Sequence, residues 1–79
     1  MYNFDDINNV ASSDIDRIGY NYKNKDLLVC FKSGTKWVYH NFPSNLYNDF
    51  LNAESKGKFF HRYIKKQYTP NGKNVTNLM

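Results

Sequence analysis

A single cysteine, Cys30, leaves this 79-residue chain without the means to form an intramolecular disulfide. No Cys/His group has the spacing of a zinc site, so no structural metal is expected. No apolar run approaches the roughly 20 residues of a membrane-spanning helix. The first residues, M-Y-N-F-D-D-I, are acidic where a secretory signal would be basic. Together these absences point to a soluble, cytoplasmic protein in a reducing compartment that does not engage a membrane. Proline (two) and glycine (four) are scarce enough that each marks a definite turn or corner. What is plentiful is aromatic: seven Tyr, six Phe and one Trp make 18% of the chain. At roughly 150–250 Å² buried per ring, they supply the core that so short a chain otherwise struggles to build.

Negative charge is the other thing in short supply, and its distribution is uneven. Residues 1–26 carry three cations against five carboxylates, a net of −2. Residues 27–79 carry eight cations against only Asp49 and Glu54, a net of +6, and five of those cations lie between Lys56 and Lys66. A local basic patch is therefore superimposed on an ordinary surface.

Residues 1–11 show no strong period and read as a lead-in whose Tyr2, Phe4 and Ile7 can cover a core. Ser12-Ser13-Asp14 has turn chemistry, because all three side chains can bond nearby backbone. Residues 15–22 read as a strand with Asp16, Ile18, Tyr20 and Tyr22 on one face. In residues 27–32, Leu27, Val29 and Phe31 alternate with Leu28, Cys30 and Lys32, and a third strand over 35–41 sets Trp37 and Tyr39 on one side. Short connections favour an antiparallel meander. Two short helices follow. Ser44, after Pro43, can cap the first, and Ser55 the second. Leu46, Tyr47, Phe50 and Leu51 form one apolar stripe, and Phe59, Phe60, Tyr63 and Ile64 form another. The expected fold is α+β in two layers, a three-stranded antiparallel meander packed on a C-terminal helical pair. Its expected core is Leu27, Val29, Phe31, Trp37, Leu46, Phe50, Phe60 and Ile64. Residues 69–79 read as an irregular, mobile tail.

The ordered set Val10, Ser12-Ser13, Ile15, Ile18-Gly19-Tyr20, Leu27-x-Val29-x-Phe31, Gly34, Tyr39, Pro43, Tyr47, Ala53-x-Ser55-x-Gly57, Phe60, Ile64 and Tyr68 resembles the KTSC domain. That family is a small module found at the C-terminus of some lysyl-tRNA synthetases and as free-standing proteins of bacteria and phages. The resemblance implies one domain over residues 1–68 and supports fold and boundaries more than activity. It carries no synthetase catalytic body. Trp37 stands where the family usually has tyrosine, Phe42 where valine is common, and His61 where asparagine is expected.

The basic second helix is the candidate site. Ser55, Lys56, Gly57 and Lys58 open it, where unpaired N–H groups and the positive end of the dipole favour an anion. The competing account is that Ser55 only caps, Gly57 lets the helices approach and the lysines are solvated. The longer spacing of a phosphate-cradling P-loop is absent. Lys58, Arg62, Lys65 and Lys66 recur every three or four residues, with His61 and Tyr68 as candidate stacking surfaces beside them. The competing account is a solvated face that keeps an aromatic-rich protein soluble. Ser12, Ser13, Asp14, His40 and His61 form no motif with a fixed base or oxyanion donor, so no catalysis and no cofactor are expected. The expected function is a small non-catalytic module for a phosphate-containing partner, RNA or DNA, and a monomer. The alternatives are a nucleotide-binding or nucleotide-sequestering protein of phage origin, and an adaptor or homodimer using the Leu28/Cys30/Val38 face.

Overall fold

Two neighbouring strands with apolar residues on both faces lie within the sheet. In the computed structural model, which describes residues 3–65 and 75–78, these are β3 (Asp26–Phe31) and β4 (Lys36–Tyr39). They pair antiparallel with Leu27 opposite Tyr39 and Val29 opposite Trp37. The turn between them uses Gly34 at φ +99°, a conformation that L side chains rarely adopt. On the far side of β3 lies β2 (Ile15–Asn21), with Ile18 opposite Val29 and Tyr20 opposite Leu27.

The sheet is wider than the expected three strands. Among the described residues it has five, in the order β1-β2-β3-β4-β5, all antiparallel. The added edges are β1 (Asp6–Asn9), from the expected lead-in, and β5 (Val75–Asn77), from the expected irregular tail. Neither D-I-N-N nor V-T-N alternates over enough residues to announce a strand. Each forms because a neighbouring strand offers an open ladder for its backbone groups. Residues 69–74 lie outside the described residues. Within β2 the alternation is also broken: a bulge between Ile15 and Arg17 lets both Ile15 and Ile18 reach the core and leaves Asp16 exposed.

One face of the sheet is covered by α1 (Ser44–Asn52) and by α2 (Lys56–Phe59), whose helix continues as a π-helical turn over Phe60–Ile64. Pro43, not Ser44, is the N-cap of α1, and no side chain caps it. Ser55 does cap α2, accepting from the Lys58 N–H at 3.3 Å. The core between the layers contains Leu27, Val29, Phe50, Phe60 and Ile64 as expected, but Phe31, Trp37 and Leu46 sit only partly buried at its margin. Their expected place is taken by Tyr20, Phe42 and Tyr47, all fully buried. The Tyr20 ring stacks on Tyr47 at 4.6 Å, and its hydroxyl donates to the Phe42 carbonyl. No described helix is long and apolar enough to cross a membrane.

The opposite face carries Leu28, Cys30 and Val38, with Phe4 packed against them. Phe4 thus covers part of this face, as expected, whereas Ile7 remains 56% exposed and Tyr2 lies outside the described residues. Gly19 makes the crossing of the N-terminal segment possible. A Cβ there would sit 2.9 Å from the Asp6 carbonyl oxygen and 3.3 Å from Ile7 Cγ1.

Two outcomes follow from this packing. Alanine normally improves on glycine in a strand, but Gly19→Ala drives a methyl into β1 backbone and should cost about 1–3 kcal/mol, read as a lowered midpoint in urea unfolding. Burial pushes the Tyr47 hydroxyl up from 10.0 to about 12, while the Asn8 amide, donating at 3.2 Å, pulls the other way. The folded state therefore holds this proton more tightly than the unfolded chain. Its contribution is complete below pH 10 and is lost as pH rises towards about 12. Thermal melts should show an alkaline fall in Tm that Tyr47→Phe makes shallower.

Candidate functional site

The second helix presents its cations beside an aromatic ladder that begins in the core. Phe50 of α1 stacks on Phe59 at 5.3 Å and 15°, and Phe59 meets Tyr63 at 4.8 Å. Tyr63 ends the ladder at the surface, 44% exposed. This departs from the expected stripe, which had Tyr63 facing the core. The cause is the π turn, closed by the Lys65 N–H donating to the Phe60 carbonyl at 2.8 Å. Its wider winding keeps Phe60 and Ile64 inward but carries Tyr63 further round the helix.

An open groove of about 690 Å³ runs beside this ladder. Ser55, Lys58, His61 and Arg62 line it together with Phe59 and Tyr63, and Glu54 is the one carboxylate among the described residues of its lining. Lys58, His61, Arg62 and Tyr63 are all exposed. The structure therefore brings four of the expected site residues together and adds two aromatic ones. Their i, i+4 spacing was visible in the sequence, but it fits a core stripe equally well.

The remaining expected residues separate. The Lys56 ammonium donates to the Ala53 carbonyl at 2.6 Å, at the C-terminal end of α1, where a cation meets the negative end of the helix dipole. Lys56 and Gly57 line a second hollow, shared with the Ser12–Asp14 turn and with Glu54, so two carboxylates stand near the helix start. Gly57 is not forced there by crowding, since an added Cβ would meet only Ser12 Oγ at 3.8 Å. Lys65 borders a third hollow with Phe31, Trp37, Tyr39 and His61. Lys66 and Tyr68 lie outside the described residues. His61, where asparagine was expected, lies at the junction of these hollows, its ring edge-on to Phe60 at 5.6 Å.

The serine and histidine candidates have other partners. Ser12 Oγ accepts from the N–H groups of Asp14 and Ile15, the turn chemistry expected of it. His40 does not meet His61. On the opposite face of the sheet its Nδ1 bonds Asp26 at 2.8 Å and its Nε2 bonds Thr76 of β5 at 2.7 Å. Among the described residues no group of three or more His, Cys, Asp or Glu side chains is placed to hold a metal. Burial raises the Tyr39 hydroxyl well above its ordinary value. The Tyr22 hydroxyl is raised as well, since it donates at 3.0 Å to the Asp6 carboxylate, which favours its protonated form.

Comparison with known proteins agrees with this architecture. The chain is 32% identical over 59 residues to a protein of Tsukamurella paurometabola, covering 75% of this chain and 88% of the relative. It is 34% identical over 54 residues to a lysine–tRNA ligase of Nostoc punctiforme, a match covering 68% of this chain and 10% of the ligase. The crystal structure of a KTSC domain protein from Yersinia pestis superposes with a TM-score of 0.82 at 28% identity, covering 94% of this chain and 97% of that one. The family model of the KTSC domain matches residues 11–68, and on that match the chain belongs to the KTSC domain family.

Proposed function

We propose that this domain is a non-catalytic binding module for single-stranded RNA or DNA, held on the basic second helix. The observation that carries the proposal is the groove in which Tyr63 and Phe59 lie beside Lys58, Arg62 and His61. Cations alone serve solubility. Cations beside an exposed ring that is packed back towards the core through Phe59 offer what an unpaired nucleotide needs, charge for the phosphate and a rigid platform for the base. The ladder from Phe50 fixes the Tyr63 ring, so less freedom is lost on binding. The π turn that exposes it is a feature often found at functional sites. One relative is named for an enzyme acting with a tRNA, which fits a module that handles nucleic acid. The stripe is favoured over the helix start because Lys56 is engaged by Ala53 and because Asp14 and Glu54 stand nearby.

Fluorescence anisotropy with labelled mixed-sequence single-stranded RNA and DNA tests this. Lys58→Glu with Arg62→Glu should abolish most binding at low salt while changing stability by less than about 0.5 kcal/mol. Tyr63→Ala should weaken binding by about 1–3 kcal/mol, the loss of one stacked base. Affinity should fall steeply with salt. No binding of RNA or DNA at low salt would remove the proposal.

Ser55→Ala separates the helix start from the stripe. Loss of the cap should cost roughly 0.5–2 kcal/mol in denaturant unfolding with or without a ligand. Unchanged affinity of the folded variant is expected. A further loss of affinity would move the site to the helix terminus.

A further inference from the structure

The face of the sheet away from the helices is not fully covered, and its chemistry differs from that of the groove. Side chains directly opposite one another on adjacent strands share a face, which puts Arg17, Cys30 and Lys36 in one row across β2, β3 and β4. The next row contains Ile7, Gly19, Leu28 and Val38. Phe4 covers the middle. Towards the two edges Ile7 is 56% and Leu78 40% exposed. The resulting bowl of about 550 Å³ has an aliphatic floor, with Arg17 and Lys36 on either side of the Cys30 position and no carboxylate among the described residues of its lining. Arg17 is 3.9 Å from Asp16, but both side chains are about half exposed, so the pair holds the guanidinium only weakly.

We propose that this face docks an acidic amphipathic helix of another protein. An apolar stripe would lie on Ile7, Leu28 and Leu78, and flanking carboxylates would reach Arg17 and Lys36. The occupant is a helix because the open surface is a sheet face, not an edge, and a helix is the element that already covers the other face of this sheet. It is acidic because two cations border the bowl, and among the described residues only the exposed Asp16 stands beside either of them. A second copy of the chain is a poorer match. Of the carboxylates it would bring near this face, Asp26 is buried and held by His40 at 2.8 Å, and Asp16 stands beside Arg17 of its own chain at 3.9 Å. The proposal uses a different face from the nucleic-acid groove and is tested separately from it.

The test is anisotropy of a fluorescein-labelled synthetic helical peptide carrying a leucine stripe flanked by glutamates. Two controls accompany it: the same peptide with lysine for glutamate, and a polyglutamate peptide without the leucines. Binding of the first probe alone is expected. Arg17→Glu with Lys36→Glu should weaken it at least about tenfold with Tm unchanged, since both positions are exposed. Ile7→Asp should weaken it similarly, and mixed-sequence single-stranded RNA should not displace it. The proposal is overturned by no binding of the acidic peptide, by equal binding of the lysine peptide, by undiminished binding to the charge-reversed variant, or by displacement with RNA. Sedimentation showing a dimer that Ile7→Asp disperses would also overturn it, by assigning the face to a second copy.

Discussion

The Tyr20 hydroxyl is the point at which the two layers are joined. It lies in the core on the helix-facing side of β2, where a hydroxyl without a partner would cost about 1–3 kcal/mol, and it is satisfied by the Phe42 carbonyl. That carbonyl lies at the corner where the chain has left the β4 ladder, with Asn41 at φ +56° and Pro43 about to begin α1. One hydrogen bond therefore fixes where the helical layer starts. The Tyr20 ring, stacked on Tyr47, fixes how α1 is turned about its axis. Phe50 then follows one turn along α1, and Phe59 stacks on it. The exposed Tyr63 in the groove is thus the far end of a series of aromatic residues in which α1 links the Tyr20–Tyr47 stack to the Phe50–Phe59–Tyr63 ladder.

The legible parts of this fold were those where one period acts alone. In β3 and β4 the alternation places Leu27, Val29, Trp37 and Tyr39 on the helix side and Leu28, Cys30 and Val38 on the other, and the structure keeps every one of those assignments. The cap at Ser55 was legible for the same reason, since a serine before a helical stripe has a specific hydrogen-bonding role. Three features were not legible. The edges β1 and β5 are set by the open ladders of their neighbours and not by their own residues. The bulge after Ile15 inserts one residue that no composition marks. The π turn conserves the inward positions of Phe60 and Ile64, so an i, i+4 pattern cannot reveal it, yet it is what brings Tyr63 to the surface. In the candidate site, the cations could be read from spacing. The use of Lys56 on the Ala53 carbonyl and the aromatic wall depend on tertiary contacts.

Two surfaces of unlike character result from one sheet. On the helix side, charge is paired with aromatic rings and lies on a rigid helical segment. On the open side, charge flanks aliphatic side chains on a strand row. The groove is lined by residues 53–63 of the helical layer and the bowl by the N-terminal segment and the strands, so the two have no residue in common, and substitutions on one need not disturb the other. A 79-residue chain can therefore present two chemically distinct surfaces without a second domain.

The hydrogen-bonded series Asp26, His40, Thr76 ties strands together on the open face. A carboxylate, an imidazole and a hydroxyl in line resemble the parts of an activated nucleophile. Their positions also give them a structural task. Asp26 opens β3, His40 follows β4 and Thr76 lies in the middle of β5, so the series ties the outermost strand to two others. A three-residue strand has only a few backbone bonds to hold it, and side-chain bonds at 2.7 and 2.8 Å add to them where the ladder is shortest. Strand period places Thr76 on the open face and its neighbour Val75 on the helix face. There Val75 borders the hollow that also contains Trp37, His61 and Lys65. A bond made on one face of β5 thus helps to hold Val75 at the rim of the hollow that Lys65 borders on the other, apart from the groove beside Tyr63.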